Sequence, residues 1–274
     1  RSIDSDVSNV GALIRMAGLL PSGFDMAPYL EEARRQLHEE TDYLLEGRQL
    51  ARFGALLASD ARFLVPLLHE DWTRGSVLAM GYVRGEPIEA AEAAADVCDR
   101  IAHDLIDLTL RELFDFGLMQ TDPNFANYQY DRDSGRIILL DFGATREIDP
   151  HIAQLYRALL GAGLADDRAE MARLAIEIGF FDTECPTRHR ERICGMMAMV
   201  FSALRATPVF DFAKTDLPER MQEEGMALAE EGFLPPEVPM DVLYLQRKFG
   251  GMFQLAKRLR ARVPVLALLK KRLG

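Results

Sequence analysis

Two short acidic motifs carry the chemistry of this sequence. Asp122-Pro123-Asn124-Phe125-Ala126-Asn127 sets an aspartate and an asparagine five positions apart. Asp141-Phe142-Gly143 follows directly on the apolar run Ile137–Leu140. Oxygen donors of this kind suit Mg²⁺, which takes few carboxylates and completes its shell with phosphate oxygens and water. Asn127 and Asp141 are therefore candidate metal ligands, and Asp122 is placed to orient an attacking group. Gly143 is expected to let the backbone turn sharply after the strand. Either motif alone is commonplace, and a lone Asp-Phe-Gly is usually a turn. On opposite arms of one predicted hairpin, after an apolar helix, they match the catalytic-loop and metal-loop layout of phosphoryl-transfer enzymes.

A second acidic group lies upstream. Glu39, Asp42 and Glu46 fall at i, i+3 and i+7, so one continuous helix would put them on one face, with Glu40 pointing elsewhere. Like charges so spaced weaken an isolated helix by a few tenths of a kcal/mol per pair, about 0.2–0.5. A solvated charged face is the ordinary explanation. In a kinase-like fold, however, one helical glutamate must meet a phosphate-binding lysine.

The elements that must position these residues can be read from periodicity. Residues 4–20 are predicted helical, with Asp4 or Ser5 as cap. Pro21-Ser22-Gly23 breaks the chain, and one long helix is expected from Pro28 to Ala58. Short strands are expected at 63–66 and 76–80, followed by a connector over 81–87. Residues 90–116 read as helix with a buried stripe at Ile101, Leu105, Leu108 and Leu113. Strands at 128–130 and 137–140 flank the turn Asp131-Arg132-Asp133-Ser134-Gly135. From Pro150 the pattern is helical to the end, broken near Pro186, Pro208 and Pro235-Pro236. The order predicts a small mixed lobe over residues 1–83 and a helical lobe over 84–274. The fold class is α+β, two-lobed, kinase-like and predominantly helical.

Composition excludes several classes. The 274 residues are 49% hydrophobic, enough for a large core, and no run approaches a membrane span. The net charge of −11 argues against nucleic-acid binding. The three cysteines are scattered, which suits a reducing compartment. Cys185, His189 and Cys194 make a poor zinc signature, and ordinary thiols are the better reading. Charge is uneven: after Asp241 there are nine basic residues and no acidic one. Such a tail either docks on an acidic body or lies on anionic lipid.

Several strings resemble one family, the UbiB-type kinase-like proteins. Glu40-Thr41-Asp42-Tyr43-Leu44-Leu45-Glu46 resembles their E-x-D segment and following glutamate. The run from Glu112 through Gln120-Thr121-Asp122-Pro123-Asn124 resembles their catalytic loop, and Leu139-Leu140-Asp141-Phe142-Gly143-Ala144-Thr145-Arg146-Glu147 their metal loop. Ile3-Asp4-Ser5-Asp6-Val7 and Arg247-Lys248-Phe249-Gly250-Gly251 extend the similarity to both ends. It is strongest to the mitochondrial and alpha-proteobacterial type tied to coenzyme Q synthesis. The resemblance implies ATP and Mg²⁺ as cofactors. Asp122 stands at the catalytic-loop position, with Glu46 as lysine partner and Glu40 and Asp42 as the family's acidic signature. It implies Asn127 and Asp141 as metal and nucleotide ligands, and Met80, Gly81, Tyr82 and Val83 as the adenine hinge. It also implies a cytoplasmic protein, peripheral at the inner face of a bacterial membrane. Its partners would be lipid-like quinone precursors and other ubiquinone-biosynthesis proteins.

The sequence departs from the family pattern in one respect. Its first lysine is Lys214, so no lysine precedes Asp141. The resemblance places the K-x-G-Q segment, the alanine-rich loop and the strand lysine before Arg1. The chain is thus expected to be N-terminally truncated, weak in turnover and exposed over an apolar gap. An inactive nucleotide-binding scaffold is one alternative. A small-molecule phosphotransferase is another, although that class carries H-x-D where Gln120-Thr121-Asp122 stands here.

Overall fold

The computed structural model describes residues 2–16, 25–39, 41–89, 95–236 and 238–273. The chain divides into two compact units. Unit 1 comprises Arg1–Arg84 with Ile138–Thr145, and unit 2 comprises Gly85–Ile137 with Arg146–Gly274.

Unit 1 opens with helices α1 (Ser2–Met16) and α2 (Ala27–Glu39). Asp4 of α1 meets Arg34 at 3.3 Å and His38 at 3.0 Å on α2. Gly11 admits the Leu30 side chain, since a β-carbon there would stand 2.6 Å from it. Residues 17–20 of the expected first helix lie outside the described residues.

The single helix expected over 28–58 is instead two, α2 and α3 (Tyr43–Leu56). Asp42 is the reason: at φ −98° and ψ 85° it is not helical, and its carboxylate accepts hydrogen bonds from the Leu44 and Leu45 amides. Thr41 Oγ1 donates to the His38 carbonyl at 2.7 Å, closing the end of α2. Short polar side chains thus compete for backbone groups that a helix would otherwise use. Glu39, Asp42 and Glu46 consequently do not share one helical face. Glu40 lies outside the described residues.

After strand β1 (Phe63–Leu64), the strand expected at 76–80 reduces to two isolated bridges, Leu68 with Met80 and Arg74 with Val77. Thr73 Oγ1 takes the place of a ladder. It accepts from the Ala79 amide at 3.2 Å and donates to the His69 carbonyl at 3.0 Å. Leu68 and Leu78 cover Gly47 of α3, where a β-carbon would meet them at 3.2 and 3.5 Å. Large exposed apolar side chains concentrate in this unit, among them Leu13, Met16, Leu67, Trp72 and Tyr82.

Unit 2 begins with strand β2 (Glu86–Pro87), within the expected connector, which pairs antiparallel with β4 (Tyr128–Asp131) in the register Glu86↔Tyr130. Helix α4 (Ala95–Arg111) does not run on as α-helix to Phe116. It widens into a π-turn over Glu112–Phe116, capped by Gly117 at φ 60°. Residues 90–94 of the expected helix lie outside the described residues. Strand β3 (Leu118–Gln120) follows, pairing with β6 (Thr145–Glu147). The turn after β4 closes through the Gly135 amide on the Asp131 carbonyl at 2.8 Å, with Gly135 at φ 71°. β5 (Arg136–Leu139) then leads the chain into unit 1.

The rest of unit 2 is helical: α5 (Pro150–Ala165), α6 (Arg168–Ile178), α7 (Thr187–Arg205), α8 (Leu217–Glu230), α9 (Met240–Arg258) and α10 (Val265–Leu273). Two-residue strands β7 (Phe210–Asp211) and β8 (Arg262–Val263) interrupt it, too short to leave a period-2 signal. Leu155, Met171, Leu174, Phe201, Val242 and Leu245 form the heart of the core. The basic tail is docked on this body. Lys257 pairs with Glu219 at 2.8 Å, Arg262 with Asp99 at 3.1 Å, and Arg272 with Asp107 and Asp115 at 2.6 Å each. Among the described residues no helix is long and apolar enough to cross a membrane.

Candidate nucleotide and metal site

In unit 1, α3 and the Asp-Phe-Gly segment build one acidic corner. Asp42 caps α3, and such a cap is worth about 1 kcal/mol. Glu46 stands in the first turn, where the helix dipole favours a carboxylate. Seven residues on, the same face presents Phe53, fully buried, whose ring lies 4.9 Å from that of the equally buried Phe142. That aromatic pair fixes the segment against α3, adding about 0.5–1.5 kcal/mol beyond the area it buries.

Asp141 is exposed and accepts the Gly143 amide at 2.9 Å. The chain turns at Gly143 as expected, closed by the Thr145 amide on the Phe142 carbonyl at 3.2 Å, without a left-handed φ. A β-carbon there would make ordinary contacts, 3.5 Å from Asp141 Oδ1 and 3.8 Å from Glu46 Oε2, so both carboxylates flank it. Burial, reinforced by the negative charge of Asp141, pushes the Glu46 carboxyl up, and the Phe142 amide only partly offsets this. Two neighbouring carboxylates, one of them held above its usual range, form a corner that a cation would relieve. The donor set suits a hard divalent ion.

The hinge candidates also lie in unit 1. The Gly81 amide donates to the Leu67 carbonyl at 2.8 Å, and Met80 bridges to Leu68. Tyr82 projects with 92% of its surface exposed.

In unit 2 the loop Asp122–Asn127 is a closed polar unit. Asn124 Oδ1 accepts the Ala126 amide at 3.1 Å and starts a 3₁₀ turn over Phe125–Asn127. Asn127 is buried and donates its side-chain nitrogen to Asp122 Oδ2 at 3.0 Å. That leaves the amide oxygen of Asn127 as the atom offered to a cation. Asp122 Oδ1 accepts from Arg247 of α9 at 2.6 Å.

Helix α9 brackets this loop with two further residues to which the sequence reading gave no role. Lys248 is buried. Its ammonium donates to Tyr128 Oη at 3.1 Å and Gln120 Oε1 at 3.3 Å, and stands 3.5 Å from Glu112 Oε2. Gln120 precedes the loop by two residues and Tyr128 follows it directly. Burial pushes the Glu112 carboxyl up, and the Lys248 charge opposes that. Gly251 leaves room for Pro123, since a β-carbon would stand 2.1 Å from Pro123 Cβ. The string Arg247-Lys248-Phe249-Gly250-Gly251 was legible as a motif. Its function was not, because a lysine among nine basic residues reads as solvated charge.

Cys185, His189 and Cys194 serve packing. His189 is buried edge-on to Phe233 at 5.5 Å, and burial raises both thiols.

Fold and motif geometry together define a kinase-like protein. A Mycobacterium tuberculosis protein, Rv3197, solved in complex with erythromycin, shares the fold over 97% of this chain and 66% of its own, with a TM-score of 0.74 at 18% identity. The ABC1 atypical kinase-like domain matches residues 1–175, and the chain belongs to that family. It is 30% identical to the mitochondrial atypical kinase COQ8 of Schizosaccharomyces pombe, over 96% of this chain and 43% of that protein. To the COQ8 of Saccharomyces cerevisiae it is 30% identical over 98% and 54%, and to the COQ8B of Rattus norvegicus 32% over 96% and 49%. The chain spans about half the length of these relatives.

Proposed function

We propose that this chain carries the metal-binding and loop-orienting part of a Mg²⁺-dependent, ATP-using atypical kinase or ATPase that supports ubiquinone biosynthesis. The observation that carries it is the state of the two motifs. Each is locally organised by its own hydrogen bonds, Asn127 on Asp122 and the Gly143 amide on Asp141. The COQ8 relatives supply the biosynthetic context.

In this reading Asn127 and Asp141 each serve as a metal ligand, and Asp122 orients the attacking group. Arg247 fixes the rotamer of Asp122 until a substrate hydroxyl or water competes for it. When bound, the metal neutralises charge developing on the transferred phosphoryl group. Glu46 and Asp42 belong to the acidic signature beside the nucleotide, and Met80–Val83 offers backbone groups to adenine. The working surface is a membrane interface carrying quinone precursors and the proteins that modify them.

A second reading, for residues 1–274 by themselves, is nucleotide binding without turnover, since among them no lysine precedes Lys214 to meet Glu46. One experiment separates the two. Mg²⁺-dependent ATP binding and hydrolysis are measured for the chain and for Asp141→Asn. Hydrolysis lost in the variant supports the enzyme. Binding lost in the variant, without hydrolysis in either, supports the scaffold. Failure of both proteins to bind ATP removes both readings.

A further inference from the structure

Unit 2 holds a cavity of about 540 Å³, walled by α4, α5, α7, α8, α9 and α10. That is the size of a small-molecule site. Its walls are mostly aromatic and aliphatic, with Leu159, Phe201, Leu204, Phe249 and Phe253 among them, and among the described residues no charged side chain lines it. An ionised ligand would lose its hydration there with no countercharge in return. The occupant is therefore neutral in the part that enters.

Among the lining residues one polar atom has no partner within the protein. Tyr156 lines the cavity, is 7% exposed, and its hydroxyl is buried without a hydrogen-bond partner. Its ring stacks on Phe249 at 6.3 Å, which fixes where the hydroxyl sits. A buried donor left unmade is costly, and native structures rarely tolerate one without a ligand or water to satisfy it.

We propose that this cavity binds a neutral, largely apolar small molecule through one acceptor oxygen, a carbonyl or ether, which receives the Tyr156 hydroxyl proton in a hydrogen bond. The site belongs wholly to unit 2 and stands independently of the nucleotide reading.

Two neutral fluorescent probes test it on the whole chain. Nile red carries a carbonyl acceptor, and diphenylhexatriene is a hydrocarbon with none. Saturable binding of both is expected. Leu204→Trp, which fills the cavity, abolishes the saturable component while leaving the circular dichroism spectrum and melting temperature in place. Tyr156→Phe weakens Nile red about fivefold, the worth of one hydrogen bond, and leaves diphenylhexatriene unchanged. Unaltered binding in folded Leu204→Trp would overturn the site. Equal Nile red affinity in Tyr156→Phe would overturn the anchor and assign the hydroxyl to water. Should Leu204→Trp fail to fold, Val200→Trp fills the same space from α7 and reads the same way.

Discussion

Glu46 is held above the usual glutamate range by burial first and by the Asp141 charge second. Its linkage to stability has a definite sign. The folded chain keeps a proton that the unfolded chain has released, so between the unfolded value of 4.5 and the raised folded value stability falls as pH rises. Glu46→Gln removes that loss. Its melting temperature should exceed that of the parent at neutral pH, and the difference should vanish below about pH 4, where both side chains are neutral. Melting curves between these limits, without added divalent ions, read the effect. A parent more stable than Glu46→Gln at neutral pH would mean that its ionised carboxylate is already compensated. How far such detail was legible in sequence depends on the residue. Asp122, Asn127 and Asp141 stood out as candidates because turn chemistry and an apolar strand frame them. The raised Glu46 was not, because burial is a tertiary property.

At the scale of elements, α9 is the bracket of the Asp122 loop, and its two buried devices should fail differently. Lys248→Met leaves Glu112 buried without its cation, and losing one partner of a buried pair costs about 3–5 kcal/mol. Adding Glu112→Leu should return much of that stability, which denaturant titration of the single and double variants would show. Absence of recovery would mean that Lys248 acts mainly through Gln120 and Tyr128. Gly251→Ala drives a methyl into Pro123, and overpacking of this kind costs about 1–3 kcal/mol. Because Pro123 adjoins Asp122, any ATP hydrolysis should fall by more than the loss of stability explains. Helix existence here followed from the sequence, but helix boundaries did not. The α2–α3 break escaped because good helix formers run through it while Asp42 spends its side chain as a cap. β7 and β8 escaped because two residues carry no period.

At the scale of the whole molecule, burial is uneven, and local stability should follow it. Helix α2 has no buried residue, and among the described side chains of α1 Val7 is the one large one buried, at 5% exposure. Their mutual ion pairs, Asp4 with Arg34 and His38, are exposed and worth little. Helix α6 is the opposite case, with Met171 and Ile178 at 0% and Leu174 at 1%. Hydrogen exchange followed by mass spectrometry should therefore show α1 and α2 opening early and α6 last. A gap of at least about a hundredfold in protection, roughly 3 kcal/mol in opening energy, is the expected outcome. Comparable protection would mean that Leu13 and Met16, exposed at 60% and 76% here, are covered in solution by another molecule. The outcome also bears on the candidate site. Slow exchange in α3 beside fast exchange in α1 and α2 would show that the Glu46 corner is held by the Phe53–Phe142 contact and by Leu68 on Gly47, within its own unit.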